Sequence, residues 1–253
     1  YKIFLNWYLE VENHRKKTIQ AIAIGLEKKF YYIDLDSIDK EYILQELRPV
    51  LENKDIKKIC HNGKEIMVFL LANDIKLRGL EFDTYIAAYI LDPSESRYDL
   101  HLLSSKYLHK NIGSKEQLLG KGKNAKLFSD LNYKDKSQLL ISELATLIEL
   151  YEEFKVKIQE QNMNSLYYEI ELPLIYVLAD MEDIGFRVEK NELMKLSKEF
   201  GEKIEKLTLE IYELAGEEFN INSPKQLGHI LFDVLKLPVI KRTKTGYSTN
   251  IEV

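Results

Sequence analysis

Residues 218–249 gather side chains suited to holding a phosphate backbone. Asn220, Asn222 and Ser223 lie just ahead of Pro224, the order of a helix start in which serine caps and proline takes the first helical position. That helix is expected to end near residue 235. A basic, hydroxyl-rich stretch follows, holding Lys241, Arg242, Thr243, Lys244, Thr245, Gly246, Ser248 and Thr249. The cations can neutralise phosphates, the hydroxyls and amides can form hydrogen bonds, and glycine lets a backbone approach closely. Such contacts position a duplex without reading its sequence, and they weaken as salt rises. On composition alone, residues 241–244 read equally well as a solvated loop.

Other reactive groups are sparse. Cys60 is the single cysteine, so no internal disulfide can form and a reducing compartment is expected. His14, His61, His101, His109 and His229 are scattered, and none pairs with another ligand at zinc spacing; His229 and Cys60 read as core or surface fillers. Trp7 and the sixteen tyrosines do not interleave with basic residues along one face, which points to packing rather than single-strand stacking. A net charge of -5 argues against wholesale nucleic-acid binding and leaves local patches to decide. No apolar run approaches the roughly 20 residues of a membrane-spanning helix. No signal peptide precedes the first strand, so the cytoplasm is expected and no membrane partner.

The elements that position these residues fall into two parts. Residues 2–11, 18–25 and 30–35 read as strands joined by short turns, an antiparallel meander. Asp36 or Ser37 is expected to cap a helix with Ile43, Leu44, Leu47 and Leu51 at helical spacing. A short strand at 56–60 and a helix from Asn62 follow, then a helix over 82–91 and another capped by Asp99. Residues 110–130 are polar and contain Gly113, Gly120 and Gly122, and read as a long loop before an amphipathic helix over 136–159. The fold class is therefore α/β, a mixed sheet flanked by helices, for which a ribonuclease-H-like arrangement fits. From about residue 165 the chain is nearly all helix. The longest helix, 190–215, has an apolar line at Leu193, Leu196, Phe200, Ile204, Leu207 and Ile211 and stops at Gly216.

Five motifs occur in order: DTYIAAYILDP at 83–93, GKGKN at 120–124, EIELPL at 169–174, MEDIGF at 181–186, and the stretch 218–249. Together they resemble bacterial DNA polymerase I, the family A DNA polymerases, from the proofreading-exonuclease domain into the start of the polymerase domain. The likeness covers nearly all of the chain and is strongest after Glu169. It implies a ribonuclease-H-like 3′-5′ exonuclease-type domain over 1–160 and, over 165–253, an all-helical thumb segment with its tip. The stretch 218–249 would then lie along the minor groove of a primer-template duplex.

Active members of the family hold two divalent ions with four carboxylates, which activate water and stabilise the leaving oxygen in phosphodiester cleavage. The resemblance sets Asn6 and Tyr8 where the first Asp-x-Glu motif stands. Asn62 and Lys64 match the second motif, but Ile66 replaces its aspartate. Leu140 and Leu144 replace the tyrosine and aspartate of the third. Hard divalent ions need oxygen ligands, so this set implies no metal site and no nuclease activity. The replacements are expected to fill the cleft, each adding about 1.5–3 kcal/mol where fully buried. The alternative, an active exonuclease with an unrecognised ligand set, would need Glu10, Glu12, Glu65 and Glu143. These are expected to be solvated charges. A non-catalytic duplex-binding module is a further alternative.

What the resemblance implies for function is a piece of a DNA-directed DNA polymerase, cytoplasmic and associated with the bacterial nucleoid. Its partner would be primer-template duplex, bound by a monomer, with no cofactor in this piece. Deoxynucleoside triphosphates and Mg2+ would engage the parent enzyme through palm and fingers residues beyond Val253. The termini agree with a piece of a longer protein. Tyr1 stands where an initiator methionine would, and Thr249 with Glu252 spells a capping box whose helix has no room before Val253.

Overall fold

The structure, a computed structural model, describes residues 1–13, 16–26, 29–36, 38–122, 125–243 and 246–249, with the backbone alone at 11–13, 16 and 243. Apolar alternation in the first third produces the expected meander of β1 (Lys2–Asn13), β2 (Lys16–Leu26) and β3 (Lys29–Asp34), each pair antiparallel. Two parallel strands, β4 (Lys57–Cys60) and β5 (Leu80–Asp83), extend it to the order β3-β2-β1-β4-β5. β5 corrects the expected helix over 82–91. Leu80, Phe82 and Asp83 pair with β4, and helix α3 (Thr84–Leu91) begins only where the Asp83 carboxylate accepts the Tyr85 N–H.

Helix α1 (Lys40–Leu51) is capped by Asp39, which accepts from the N–H groups of Glu41 and Tyr42; this replaces the expected cap at Asp36 or Ser37, of which Ser37 lies outside the described residues. Helix α2 (Gly63–Leu71) follows β4, and α4 (Leu100–Leu103) runs on into a π-helical turn, Ser104–Leu108. The expected loop over 110–130 also carries structure. Ser114 and Gln117 form a reciprocal capping box that opens α5 (Lys115–Leu119), and a 3-10 turn at Phe128–Asp130 buries Phe128 completely. Helix α6 (Tyr133–Glu160) then crosses the sheet.

Strand alternation decides what each face meets. Phe4, Asn6 and Tyr8 of β1 point to one side, where they meet Tyr151 of α6, Glu143 of α6 and Phe128. Trp7 points to the other and packs edge-on against Phe69 of α2. A π-helical turn at Leu166–Glu171 leads into α7 (Leu172–Ile184), with Pro173, which has no N–H to return to the preceding turn, at the change from π to α geometry. The compact unit built on the sheet runs from Tyr1 to Gly185, because α7 packs on α2.

The second unit, Phe186–Val253, contains α8 (Lys190–Ala215), with the bounds expected and a left-handed cap at Gly216. Its apolar line is exposed: Leu193, Leu196, Phe200, Ile204 and Leu207 retain 44–64% of their surface. Ser223 caps α9 (Pro224–Gly228), which continues as a π-helical turn, His229–Val234. The basic segment is a small hairpin rather than a plain loop, with β6 (Arg242–Thr243) paired to β7 (Gly246–Tyr247).

Candidate functional site

Parallel strands place side chains at their carboxyl ends, where crevices form. The last β1–β4 pair is Leu5 with Cys60, so Asn6, midway along β1, and His61, just past the end of β4, come next on neighbouring strands. Both line a cavity of about 350 Å³, together with Trp7, Asn62, Glu65, Ile66, Tyr85, Lys115 and Glu143. Asn62 is left-handed (φ 58°) and bends the chain into α2. Gly63 follows because nothing larger fits: a Cβ there would come within 2.9 Å of Cys60 Sγ and 3.0 Å of Asp83 Oδ2.

Asp83 ties this corner together. Its Oδ1 accepts from the Asn62 N–H at 3.1 Å and the Tyr85 N–H at 2.8 Å, and its Oδ2 from the Gly63 N–H at 2.6 Å. Burial raises its carboxyl to about 6 even though these backbone donors favour the charged form. His61 is half-buried, with Nδ1 2.9 Å from Thr84 Oγ1, and desolvation followed by the Lys115 charge lowers it to about 3, so the ring is neutral. Trp7 presents a buried Nε1–H that finds no hydrogen-bond partner among the described residues.

Asn6 and Ile66, two of the positions singled out in the sequence, line this cavity. Tyr8 lies alongside, stacked on Phe128 at a centroid distance of 3.8 Å; burial, with Glu10 and Glu143 nearby, pushes its phenol up to about 12. Leu140 and Leu144 do not line the cavity. Both are fully buried in the core, and Leu140 meets Asn6 only through its carbonyl oxygen, which accepts the side-chain amide at 3.4 Å. The expectation that Ile66, Leu140 and Leu144 together fill the cleft is therefore corrected, since space remains and a different α6 residue faces it.

That residue is Glu143, which is no solvated charge. It is 6% exposed, and its Oε2 accepts from Asn6 Nδ2 at 3.0 Å. The sequence held a signal for it, because Glu143 is three residues after Leu140 and four before Leu147, within the apolar stripe of α6. Glu65 is half-buried, accepting from Asn62 Nδ2 at 2.7 Å and paired with Lys17 at 3.0 Å. Glu10 is likewise engaged, by the Gln20 amide at 2.9 Å and the Phe128 N–H at 3.3 Å. The Glu12 side chain lies outside the described residues.

In the second unit, the Ser223 hydroxyl accepts from the Gln226 N–H, the Gln226 side chain accepts from the Asn220 N–H at 2.7 Å, and Asn220 Oδ1 accepts from the Asn222 N–H at 3.0 Å. These polar groups shape the turn before α9. Lys241 and Arg242 are exposed, with the guanidinium 5.3 Å from the Tyr247 ring centre. Tyr247 in turn donates to Asp233 Oδ1 at 2.8 Å, while Asp233 Oδ2 meets His229 Nδ1 at 3.0 Å, so His229 helps to hold the hairpin base. Ser248 corrects an expectation: it is only 5% exposed, and its N–H donates to the Lys241 carbonyl. Thr249 is half-buried beside Gly228. Lys244 and Thr245, with the Thr243 side chain, lie outside the described residues. Lys225, not singled out in the sequence, lines the same groove as Ser223 and Tyr247.

Residues 6–142 match the family model described as DNA polymerase I, ribonuclease H-like domain, and residues 190–253 match that of DNA polymerase family A. The chain belongs to the DNA polymerase I family. It is 35% identical over 243 residues to DNA polymerase I of Bacillus subtilis, covering 96% of this chain and 27% of that protein. With DNA polymerase I of Caldicellulosiruptor bescii it shares 38% over 245 residues, covering 94% of this chain and 26% of the relative. The chain thus spans a minor part of the curated relatives it matches. Among solved structures, the POL domain of Pol1 from M. smegmatis, in complex with DNA primer-template and dNTP, is similar at a TM-score of 0.75 and 27% identity, covering 99% of this chain and 40% of that one.

The two divalent ions that DNA polymerase I proofreading domains imply do not fit the residues present here. Among the described residues no three His, Cys, Asp or Glu side chains are grouped to hold a metal. Glu65 and Glu143 are the cavity carboxylates nearest the family's positions, and each is already paired with an amide and an ammonium. Nor is any helix among the described residues long and apolar enough to cross a membrane.

Proposed function

We propose that this chain is the part of a DNA-directed DNA polymerase that carries a proofreading-type domain without its metal chemistry and the beginning of the thumb. The observation that carries the reading is the exposed cationic hairpin, Lys241 and Arg242, beside the Ser223-capped turn, within the segment matched to DNA polymerase family A. Its task is to hold primer-template duplex by the phosphates. Lys241, Arg242 and Lys225 would supply the charge, Asn220, Asn222 and Ser223 would set the turn, and Thr243, Lys244, Thr245 and Thr249 would complete the tip. Tyr247 and Asp233 keep Arg242 on a fixed base, which reduces the freedom lost on binding.

The exposed line on α8 supports the same reading. Apolar residues spaced three and four apart form a seam that a second helix would cover, as a paired thumb requires. Nucleotide addition, with its Mg2+ and deoxynucleoside triphosphates, belongs in this proposal to the rest of the polymerase. The cytoplasm and the nucleoid are its proposed location. Titrating two labelled duplexes of unrelated sequence with this chain tests the proposal. Equal affinities that fall together as salt rises support it, whereas binding that ignores salt, or reads one sequence, contradicts it.

A further inference from the structure

We propose that Lys115 is a tethered cation that occupies the electrostatic role of the missing metal ions, and that α5 is the strap holding it in the cleft. The inference rests on reading the first unit as a nuclease fold without its metal site. Glu143 is almost wholly buried, and a carboxylate in that position is costly unless a positive charge accompanies it. Among the described residues, the cation paired with it is Lys115, with Nζ 3.8 Å from Glu143 Oε1. The same ammonium sits 5.1 Å from the Tyr8 ring centre, a favourable cation–π position. Tyr8 cannot swing away freely, because Phe128 stacks on it. One ammonium therefore faces the side chain at a former carboxylate position, Tyr8, and the carboxylate that remains, while its charge also reaches His61.

The strap is anchored on both sides of Lys115. Ser114 Oγ accepts from the Gln117 N–H at 3.2 Å, and Gln117 Oε1 accepts from the Ser114 N–H at 2.9 Å. Glu116, which also lines the cavity, pairs with Lys121 at 2.7 Å and Arg97 at 3.7 Å, while Leu118 and Leu119 pack on the core. Adjacent residues of this turn thus take different partners, and Lys115 is the one paired with Glu143. A mobile metal would have to displace a cation that cannot diffuse away.

The experiment measures Mn2+ binding by the electron paramagnetic resonance of the free ion, using this chain and the variants Lys115→Ala, Lys115→Gln and Lys115→Arg. Removing a unit charge about 4 Å from the carboxylate should tighten Mn2+ binding by about tenfold or more in the Ala and Gln variants. Lys115→Arg should match the parent sequence, and adding Glu143→Gln to Lys115→Ala should abolish the gain. The Gln variant keeps most of the side-chain stem, so a folding defect confined to Ala leaves the test intact. Unchanged Mn2+ affinity in both neutral variants, or a gain that survives Glu143→Gln, overturns the inference. Mn2+-dependent digestion of single-stranded DNA by the unsubstituted chain would instead overturn the underlying reading of the domain.

Discussion

Asn6 of β1 donates its side-chain amide to Glu143 of α6 across 3.0 Å, joining residues 137 positions apart at the edge of the cavity. An amide–carboxylate bond here ties strand to helix. Two carboxylates at this spot would repel one another unless a metal lay between them. Hydrogen bonds to charged groups contribute about 1.5–3 kcal/mol, so a double-mutant cycle over Asn6→Ala and Glu143→Ala should give a stabilising coupling of that order in urea unfolding. A coupling near zero would show that the contact does not hold the site together.

Asp83 makes the first unit sensitive to mild acid in an unusual direction. Its folded value of about 6 lies above its ordinary 3.8, so between these values the folded state holds more protons than the unfolded state. Its contribution is fully present below about pH 4 and is lost as pH rises through about 6, a change of about 3 kcal/mol. Asp83→Asn should flatten that part of the stability–pH curve. Chemical denaturation of both proteins from pH 4 to 7 checks this.

Neither Mg2+ nor Mn2+ should support processive digestion of single-stranded DNA, and Glu65→Gln with Glu143→Gln should leave any trace background unchanged. A chelator-sensitive ladder of products that vanishes in this double variant would establish an active site built on those carboxylates.

The α8 line makes a separate prediction. Phe200→Glu removes an exposed apolar ring and touches no core, so unfolding free energy should change by no more than about 0.5 kcal/mol. A large loss of stability would mean that the face is already buried.

Periodicity made the meander and α8 legible, since alternation and a charged helix ending at Gly216 are purely local patterns. It failed at β5 for a physical reason: Leu80 to Asp83 alternates over only four residues, too short a run to stand out, and it leads directly into the apolar residues of α3. At α5, the glycines and lysines around it masked a capping box written plainly in Ser114 and Gln117. In the cleft, Asn6 and Ile66 are legible from the motifs, but Glu143 is not, because glutamate on a helix is usually solvated. Only the distant partners Asn6 and Lys115 explain its burial. At the hairpin, Lys241 and Arg242 were found from charge, whereas the burial of Ser248 depends on β7 returning against α9.

Fluorescence anisotropy of a labelled primer-template duplex, titrated with this chain and with its Lys241→Ala/Arg242→Ala variant across a salt series, tests the central claim most directly. The account predicts weaker binding by the variant at low salt and a log–log salt slope smaller by about two, one for each phosphate contact removed. Unchanged affinity and slope would contradict it.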